Sequence, residues 1–383
     1  MTTMPTLRLP RALDLASIME HKSHFLLGPR QTGKTTLIQD VLPGVRSYDL
    51  LDSRVFLELS RSPHRLGEEL DANTKIVAID EIQRLPELLN EVHRLIELRG
   101  IRFLLTSSSA RSLRRGGVNL LGGRARTKYL HPLTRDELGP HFDLARAIKH
   151  GTMPSIYFSD NPAADLAAYA GTYLSQEVVA AGATRNVTAF SRFLHVAALC
   201  NGLIVNFTNV ANDAQVPRTT VYEYFEILKD TLIIRELPAW RLSARRKPIT
   251  SSKYYFFDIG VASQLQGRTV NAETPEFGAA FEAYLMHELT TYADYRHGDA
   301  IRYWRSTSGF EVDFILGDHT AIEVKATRII TNDHLKGLKA LAEEQQLKRY
   351  LCVAMVDRPR TVDGITVLPW RHFLDALWSD EYR

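Results

Sequence analysis

Three short stretches in the N-terminal third are apolar almost without interruption. Phe25-Leu26-Leu27 runs straight into Gly28, Lys75 to Ile82 reads K-I-V-A-I-D-E-I, and Ile101 to Leu105 ends in Thr106-Ser107-Ser108-Ser109. A strand covered on both faces needs apolar side chains at every position, so these runs predict a parallel sheet that delivers its polar residues at the C-terminal edge. Further on the period lengthens. Between Asp165 and Glu177, Leu166, Tyr169, Ala170, Tyr173 and Leu174 recur near helical spacing. A helical stretch from Phe207 to Leu228 breaks at Val216-Pro217. Beyond the break Val221, Phe225 and Leu228 share one face, with Thr219 or Thr220 placed to cap the second helix, and Leu232 to Leu237 then reads as a strand.

The last third predicts a long helix, Phe277 to Tyr295, strands at Ile301 to Arg305, Phe310 to Leu316 and Thr320 to Lys325, a helix from Asn332 to Gln346 and a strand at Tyr350 to Val356. Within the third strand Glu323 and Lys325 alternate with Ile322 and Val324, which puts both polar side chains on one face. The expectation is an α/β chain of three units. Residues 1–150 form a parallel-sheet domain, 151–250 a helical connector and winged helix, and 251–383 an α/β domain with α-β-β-β-α-β order.

Composition narrows the classes. At 383 residues, 45% hydrophobic and 24% charged, the chain can build two or three ordinary cores. Met1 to Ser23 lacks the continuous apolar core of a signal peptide, and no segment approaches a membrane span. Cys200 and Cys352 alone exclude a disulfide framework, so the cytoplasm is the expected compartment. A net charge of +3 rules out a globally basic nucleic-acid binder and confines any DNA contact to local patches.

The chemistry starts at Gly28, where G-P-R-Q-T-G-K-T forms a phosphate-binding loop. The loop of Gly28, Pro29, Arg30, Gln31, Thr32, Gly33, Lys34, Thr35 and Thr36 wraps the phosphates with the backbone N–H groups of every residue but Pro29, Lys34 reaches the β and γ oxygens, and the Thr35 hydroxyl meets Mg²⁺. Asp80 is placed to hold that Mg²⁺ through water, and Glu81 to orient and deprotonate an attacking water. ATP with Mg²⁺ is therefore the expected ligand. Ser107 and Ser108 are candidate sensors of the γ-phosphate, against a reading as ordinary turn formers. Arg111, Arg114, Arg115, Arg124 and Arg126 crowd the glycine-rich G-G-V-N-L-L-G-G-R-A-R. Arg124 is the candidate arginine finger, against a reading of this loop as a solvated or DNA-facing basic patch.

Arg241, Arg245, Arg246, Lys247 and Lys253 follow the helical pair and suggest a basic wing that contacts DNA. Adjacent strands bring Asp313, Glu323 and Lys325 together. Two carboxylates can hold Mg²⁺ or Mn²⁺, a lysine beside them can activate water against a phosphodiester, and Glu282 can add a third carboxylate. The alternative is a solvent-facing acidic and basic strand face.

Taken together, G-P-R-Q-T-G-K-T-T-L, I-D-E-I-Q-R-L-P, L-L-G-G-R with L-H-P-L-T-R-D-E-L, Y-F-F-D-I-G-V-A, and E-V-D-F-I-L with I-E-V-K make the chain resemble, end to end, the prokaryotic AAA-type (AAA_14) ATPases with a C-terminal DUF4143 domain. The resemblance implies Lys34, Thr35, Asp80 and Glu81 as ATPase residues. It sets Asp313, Glu323 and Lys325 near the PD-(D/E)xK nucleases, with a restriction-endonuclease-like fold for the last domain. Ser107 stands where such proteins have glycine, so the sensor assignment departs from the pattern. The expected function is an ATPase that couples nucleotide state to DNA binding and DNA cleavage, with a second copy of the chain as a candidate partner. The alternative is a nucleotide-driven switch whose nuclease-like domain is inactive and binds DNA or protein. A metabolic kinase fits less well, because no separate acceptor pocket is legible.

Overall fold

The computed structural model describes residues 8–115, 121–173, 186–243, 245–296 and 298–383. Val118 and its neighbours in the glycine-rich stretch, and Leu174 to Glu177, lie outside the described residues.

Strands β1 (Ser23–Leu27), β2 (Arg46–Asp49), β3 (Ile76–Asp80), β4 (Arg102–Ser107) and β5 (Ala125–Tyr129) form one parallel sheet in the order β2-β3-β4-β1-β5. The uninterrupted apolar runs have the expected cause. Phe25, Leu27, Val77, Ile79, Phe103 and Leu105 pack on one face, whereas Leu26, Ala78 and Leu104 pack on the other. Helix α1 (Lys34–Val41) covers the second face with Leu37 and Ile38. Helix α2 (Leu88–Arg99) covers the first with Leu88, Leu89, Val92 and Leu95. A short helix, α3 (Arg135–Leu138), closes this unit with a capping box between Thr134 and Glu137.

The middle of the chain is mainly helical. Residues Pro162–Ala168 are α-helical and continue into a π turn, Tyr169–Tyr173. Helices α4 (Val187–Leu199), α5 (Phe207–Ala214) and α6 (Arg218–Asp230) enclose an aromatic core in which Phe190, Phe193, Tyr224 and Phe225 meet edge to face or tilted. Contrary to the capping expectation, α6 starts at Arg218 directly after Pro217, so Thr219 and Thr220 lie within its first turn. Proline fixes the entry dihedral and leaves that end without a side-chain cap.

Strands β6 (Ile234–Leu237) and β7 (Lys253–Phe256) then pair antiparallel. Successive side chains of β7 face different units: Tyr254 and Phe256 join the middle core, while Tyr255 joins the C-terminal one. The loop between the two strands is docked. Ala239 bridges Tyr303, Pro248 bridges Ser306, and the buried Trp240 donates its ring N–H to Asp318.

The C-terminal unit opens with α7 (Phe277–Tyr295). Its sheet comprises β8 (Ile301–Arg305), β9 (Glu311–Leu316), β10 (Thr320–Lys325), β11 (Arg349–Ala354), β12 (Arg360–Val362) and β13 (Ile365–Pro369), in the order β12-β13-β11-β10-β9-β8. Helix α7 and the closing helix α9 (Trp370–Trp378) cover one face, and α8 (Lys336–Ala342) covers the other. Among the described residues, no helix is long and apolar enough to cross a membrane.

Candidate functional site

The phosphate loop sits where β1 ends. Gly28 has no room for a side chain, because a Cβ there would overlap the Leu130 carbonyl. Gln31 and Gly33 adopt positive φ (64° and 92°), the left-handed geometry that bends the chain into the helix. With Gly33 as N-cap and no side-chain cap, α1 presents its first N–H groups to the loop's concavity. Lys34 is buried and donates from Nζ to the Gly28 and Pro29 carbonyls at 2.7 and 3.1 Å, and the Thr32 hydroxyl donates to Pro29 at 2.8 Å. Thr35 Oγ1 donates to Asp80 Oδ2 at 2.6 Å. Loop and acidic strand end, 45 residues apart in sequence, thus meet at a hydroxyl and a carboxylate. Hard oxygen donors of this kind suit Mg²⁺.

Glu81 follows Asp80 with φ 58°, a strained value for a residue with a side chain, and is buried. Its backbone N–H donates to Thr106 Oγ1 at 3.0 Å, Thr106 donates in turn to Asp80, and Gln83 donates to the Glu81 carboxylate. Gln83 also reaches Ser108 Oγ at 3.2 Å. The Ser107 hydroxyl is engaged elsewhere: it donates to the Ser109 carbonyl at 2.9 Å and accepts from the Ser109 N–H, which is the bonding of a turn former. Arg124 ion-pairs with Glu97 on α2. Ala125 is in register with Ser23, and Tyr129 with Leu27. Arg124 therefore stands at the start of β1, about 13 Å of strand from the phosphate loop at its end.

In the C-terminal sheet the ladder between β9 and β10 stops at Ile322 and Phe314. Asp313 replaces the next rung by accepting from the Val324 N–H at 2.8 Å. Lys325 Nζ lies 2.5 Å from Glu323 Oε1 and 4.0 Å from Asp313 Oδ2. Glu282, from α7, enters the same group, where Tyr255 donates to it at 2.6 Å and Lys253 approaches to 3.7 Å. The sequence-predicted set is thus brought together. Lys253 joins it rather than any basic wing, because strand alternation turns its side chain into the C-terminal unit. Among the described residues, no group of three or more His, Cys, Asp or Glu side chains is arranged to hold a metal ion. Burial, with Asp313 nearby, pushes Glu282 up to about 7 and raises Glu323 well above the usual carboxylate range. Both lysines stay charged; burial alone would lower them, but the surrounding carboxylates hold them above the ordinary value.

Of the remaining cations expected on a wing, Arg246 ion-pairs with Glu343 and Glu344, while Arg241, Arg245 and Lys247 are exposed. On α6, Tyr222 stacks on Phe207 at 4.1 Å between ring centroids, with the Arg218 guanidinium over the same ring.

Residues 20–139 match the model of an AAA domain, AAA_14, and residues 277–373 that of a domain of unknown function, DUF4143. The chain joins an AAA domain to a C-terminal DUF4143 domain. Between them, residues 141–272 match a second domain of unknown function, DUF8612. Two uncharacterized proteins, one of Mycobacterium bovis and one of Mycobacterium tuberculosis, are each 26% identical over 357 residues, covering 90% of this chain and 78% of theirs. A solved Signal Transduction ATPase with Numerous Domains (STAND) protein from Pyrococcus horikoshii, with a tetratricopeptide repeat sensor, is 13% identical with a TM-score of 0.25. The match covers 75% of this chain and 48% of that one, so this chain spans about half its length, and the likeness carries no argument.

The AAA domain is braced from outside its own sheet. Arg11, which sequence reading passed over, has a largely covered side chain that donates to the Thr32 carbonyl at 2.8 Å while ion-pairing with Glu137 at 2.9 Å. Ser155 donates to Gln31 at 2.8 Å. Glu137 belongs to the L-T-R-D-E-L motif, so the motif's acid is a support for the phosphate loop. Thr106 and Gln83 were also missed as site residues; Thr106 heads a serine run in which only the tertiary structure distinguishes one hydroxyl from the next. Behind the loop, a cavity of about 240 Å³ is lined by Pro29, His131, Lys229, Arg235, His287 and Asp294. Arg235 binds Asp294 through two hydrogen bonds of 2.8 and 3.0 Å, and His131 adds a third at 2.8 Å. Burial would raise Asp294, but these partners hold it below the usual carboxylate range. His287 is driven the other way, to about 3, by burial and the nearby His131.

Proposed function

We propose that this chain hydrolyses ATP at the AAA domain and couples nucleotide state to DNA binding by the middle segment. The observation that carries the first half is the closed set at the sheet edge, in which Thr35 and Thr106 both bond Asp80 and Gln83 bonds Glu81. Lys34 meets the β and γ oxygens of the nucleotide, and Thr35 with Asp80 holds Mg²⁺, which when bound neutralises charge on the transferring phosphoryl group. Glu81, fixed by Gln83 and by its own strained backbone, takes the proton of the attacking water.

Coupling is supported by the path from phosphate loop to helix α6. Arg111, just beyond β4, pairs with Asp230 at the end of α6 at 3.3 Å, and Lys229 and Leu232 line the cavity that also touches Pro29. The exposed side of α5 and α6, with Arg218, Tyr222 and Phe207, together with Arg241, Arg245 and Lys247, provides the aromatic and cationic groups that a helix-turn-helix with a flanking hairpin offers to DNA. ATP turnover should rise several-fold with at least one of single-stranded, duplex or branched DNA. Turnover that ignores all three would remove the coupling.

A second reading, a switch whose DUF4143 domain does not cut DNA, is favoured by two lysines within the carboxylate cluster. Cleavage dependent on Mn²⁺ and lost in Lys325→Ala would overturn it.

A further inference from the structure

Strand β7 brings an extra cation to the carboxylates of the DUF4143 domain. Lys253 is only 3% exposed; its Nζ lies 2.7 Å from Glu311 Oε1 and 3.7 Å from Glu282 Oε1. The ammonium also sits 5.3 Å from the centre of the Tyr303 ring. Two residues on, along the same face, Tyr255 donates to the Glu282 oxygen that Lys253 approaches. Arg305 pairs with the outer oxygen of Glu311 at 3.2 Å. Opposite this, Glu323 is more than nine-tenths buried, and its Oε2 has no hydrogen-bond partner among the described residues.

The charges decide what this arrangement does. The three inner carboxylates, Glu282, Asp313 and Glu323, face two ammonium groups, one from Lys325 on their own sheet and one from Lys253 on the preceding unit. A buried oxygen without a donor is unfavourable, so the cluster retains a demand for positive charge. Lys253 meets that demand on the Glu282 side, without leaving three carboxylates free to surround an ion. Without Lys253, the three acids would face one ammonium, and oxygen donors left short of positive charge are the ligands a divalent cation takes.

We infer that Lys253, held by strand β7 with Tyr255, is an intrinsic counter-cation of the DUF4143 cluster and sets its affinity for divalent metal, which enters only when the Lys253 ammonium is removed or drawn away. This rests on reading the carboxylates as a cation site. It is independent of ATP turnover and of DNA. Because β7 also carries Tyr254 and Phe256 in the middle core, movement of that core moves Lys253.

The test is Mn²⁺ titration by calorimetry on the full, nucleotide-free chain, with Asp80→Asn in every sample to silence the AAA-domain site. Lys253→Met should bind one Mn²⁺ at least about tenfold more tightly than the parent, as expected when a neighbour of metal ligands is changed. Lys253→Arg should stay at the parent value, and adding Asp313→Asn to Lys253→Met should abolish the gain. No gain in Lys253→Met, or a gain that survives Asp313→Asn, overturns the inference. Should Lys253→Met fail to fold, amide hydrogen exchange on the parent decides: saturating Mn²⁺ should speed exchange at residues 253–256 and have no effect with Asp313→Asn. Unchanged exchange in the parent overturns the inference equally. No sample contains DNA or ATP, so failure here is distinct from failure of the DNA-coupled ATPase.

Discussion

Glu81 is held at φ 58° between a buried strand and a short 3-10 turn, and its neighbours explain why that strain persists. Thr106 ties down its N–H and Gln83 its carboxylate. Glu81→Gln should keep ATP binding and lower the hydrolysis rate by about 10²–10⁴-fold, read by single-turnover assay alongside nucleotide titration. A second residue-scale prediction concerns Glu288, buried in α7. It accepts from the Arg135 N–H and Tyr284 hydroxyl at 2.7 Å and from the Trp378 ring N–H at 3.2 Å, yet burial pushes it to about 7 from an ordinary 4.5. The folded chain then keeps a proton that the unfolded chain releases. That contribution to stability is complete below the unfolded value and is lost as pH rises through about 7. The thermal midpoint should fall between about pH 5.5 and pH 8 by more in the wild type than in Glu288→Gln, measured by scanning fluorimetry. Equal slopes would refute this.

At the scale of elements, the loop between β6 and β7 departs most from what its residues suggest. Four cations in Arg241 to Lys247 read as a solvent-facing wing, but Trp240 is buried against the edge strand β8 and fastens the loop to the C-terminal sheet. An indole hidden in a core outweighs the preference of nearby arginines for water, since losing a buried aromatic costs about 3–5 kcal/mol. Trp240→Ala should therefore release the loop. Limited trypsin digestion should cut between Arg241 and Lys253 at least several-fold faster than in the wild type, and an unchanged pattern would show the loop held by its backbone bridges alone.

For the whole molecule, the units are bound through α7. Tyr295 accepts from the His131 N–H at 3.1 Å, and Asp294 takes His131 and Arg235 together, so the AAA domain, β6 and the DUF4143 helix share one polar junction. Arg124, by contrast, stands at the opposite end of the strand from its own phosphate loop. A catalytic role for it requires a neighbouring copy of the chain. Mixing Lys34→Ala with Arg124→Ala protein should then restore part of the ATP turnover that neither has alone, whereas strictly additive, near-zero rates would leave Arg124 as the surface partner of Glu97. The coupling path makes its own prediction: Arg111→Ala should reduce DNA stimulation of turnover while basal turnover changes less than about twofold, as for loss of a half-buried ion pair outside the site.

The sequence by itself determined the phosphate loop, the acidic strand end, the parallel sheet that joins them and the α-β-β-β-α-β order of the last third. These depend on local spacing and on apolar periods that one chain displays directly. It also brought Asp313, Glu323 and Lys325 to adjacent strands, because alternation fixes the face of a side chain. Only the tertiary structure decided which hydroxyl bonds Asp80, that Arg11 and Glu137 brace the loop, and that Lys253 points into the carboxylates. Those outcomes rest on contacts between segments tens to hundreds of residues apart. K-Y-Y-F carries no polar alternation to show that β7 lies between two cores, and a lysine's destination depends on what the rest of the chain places opposite it.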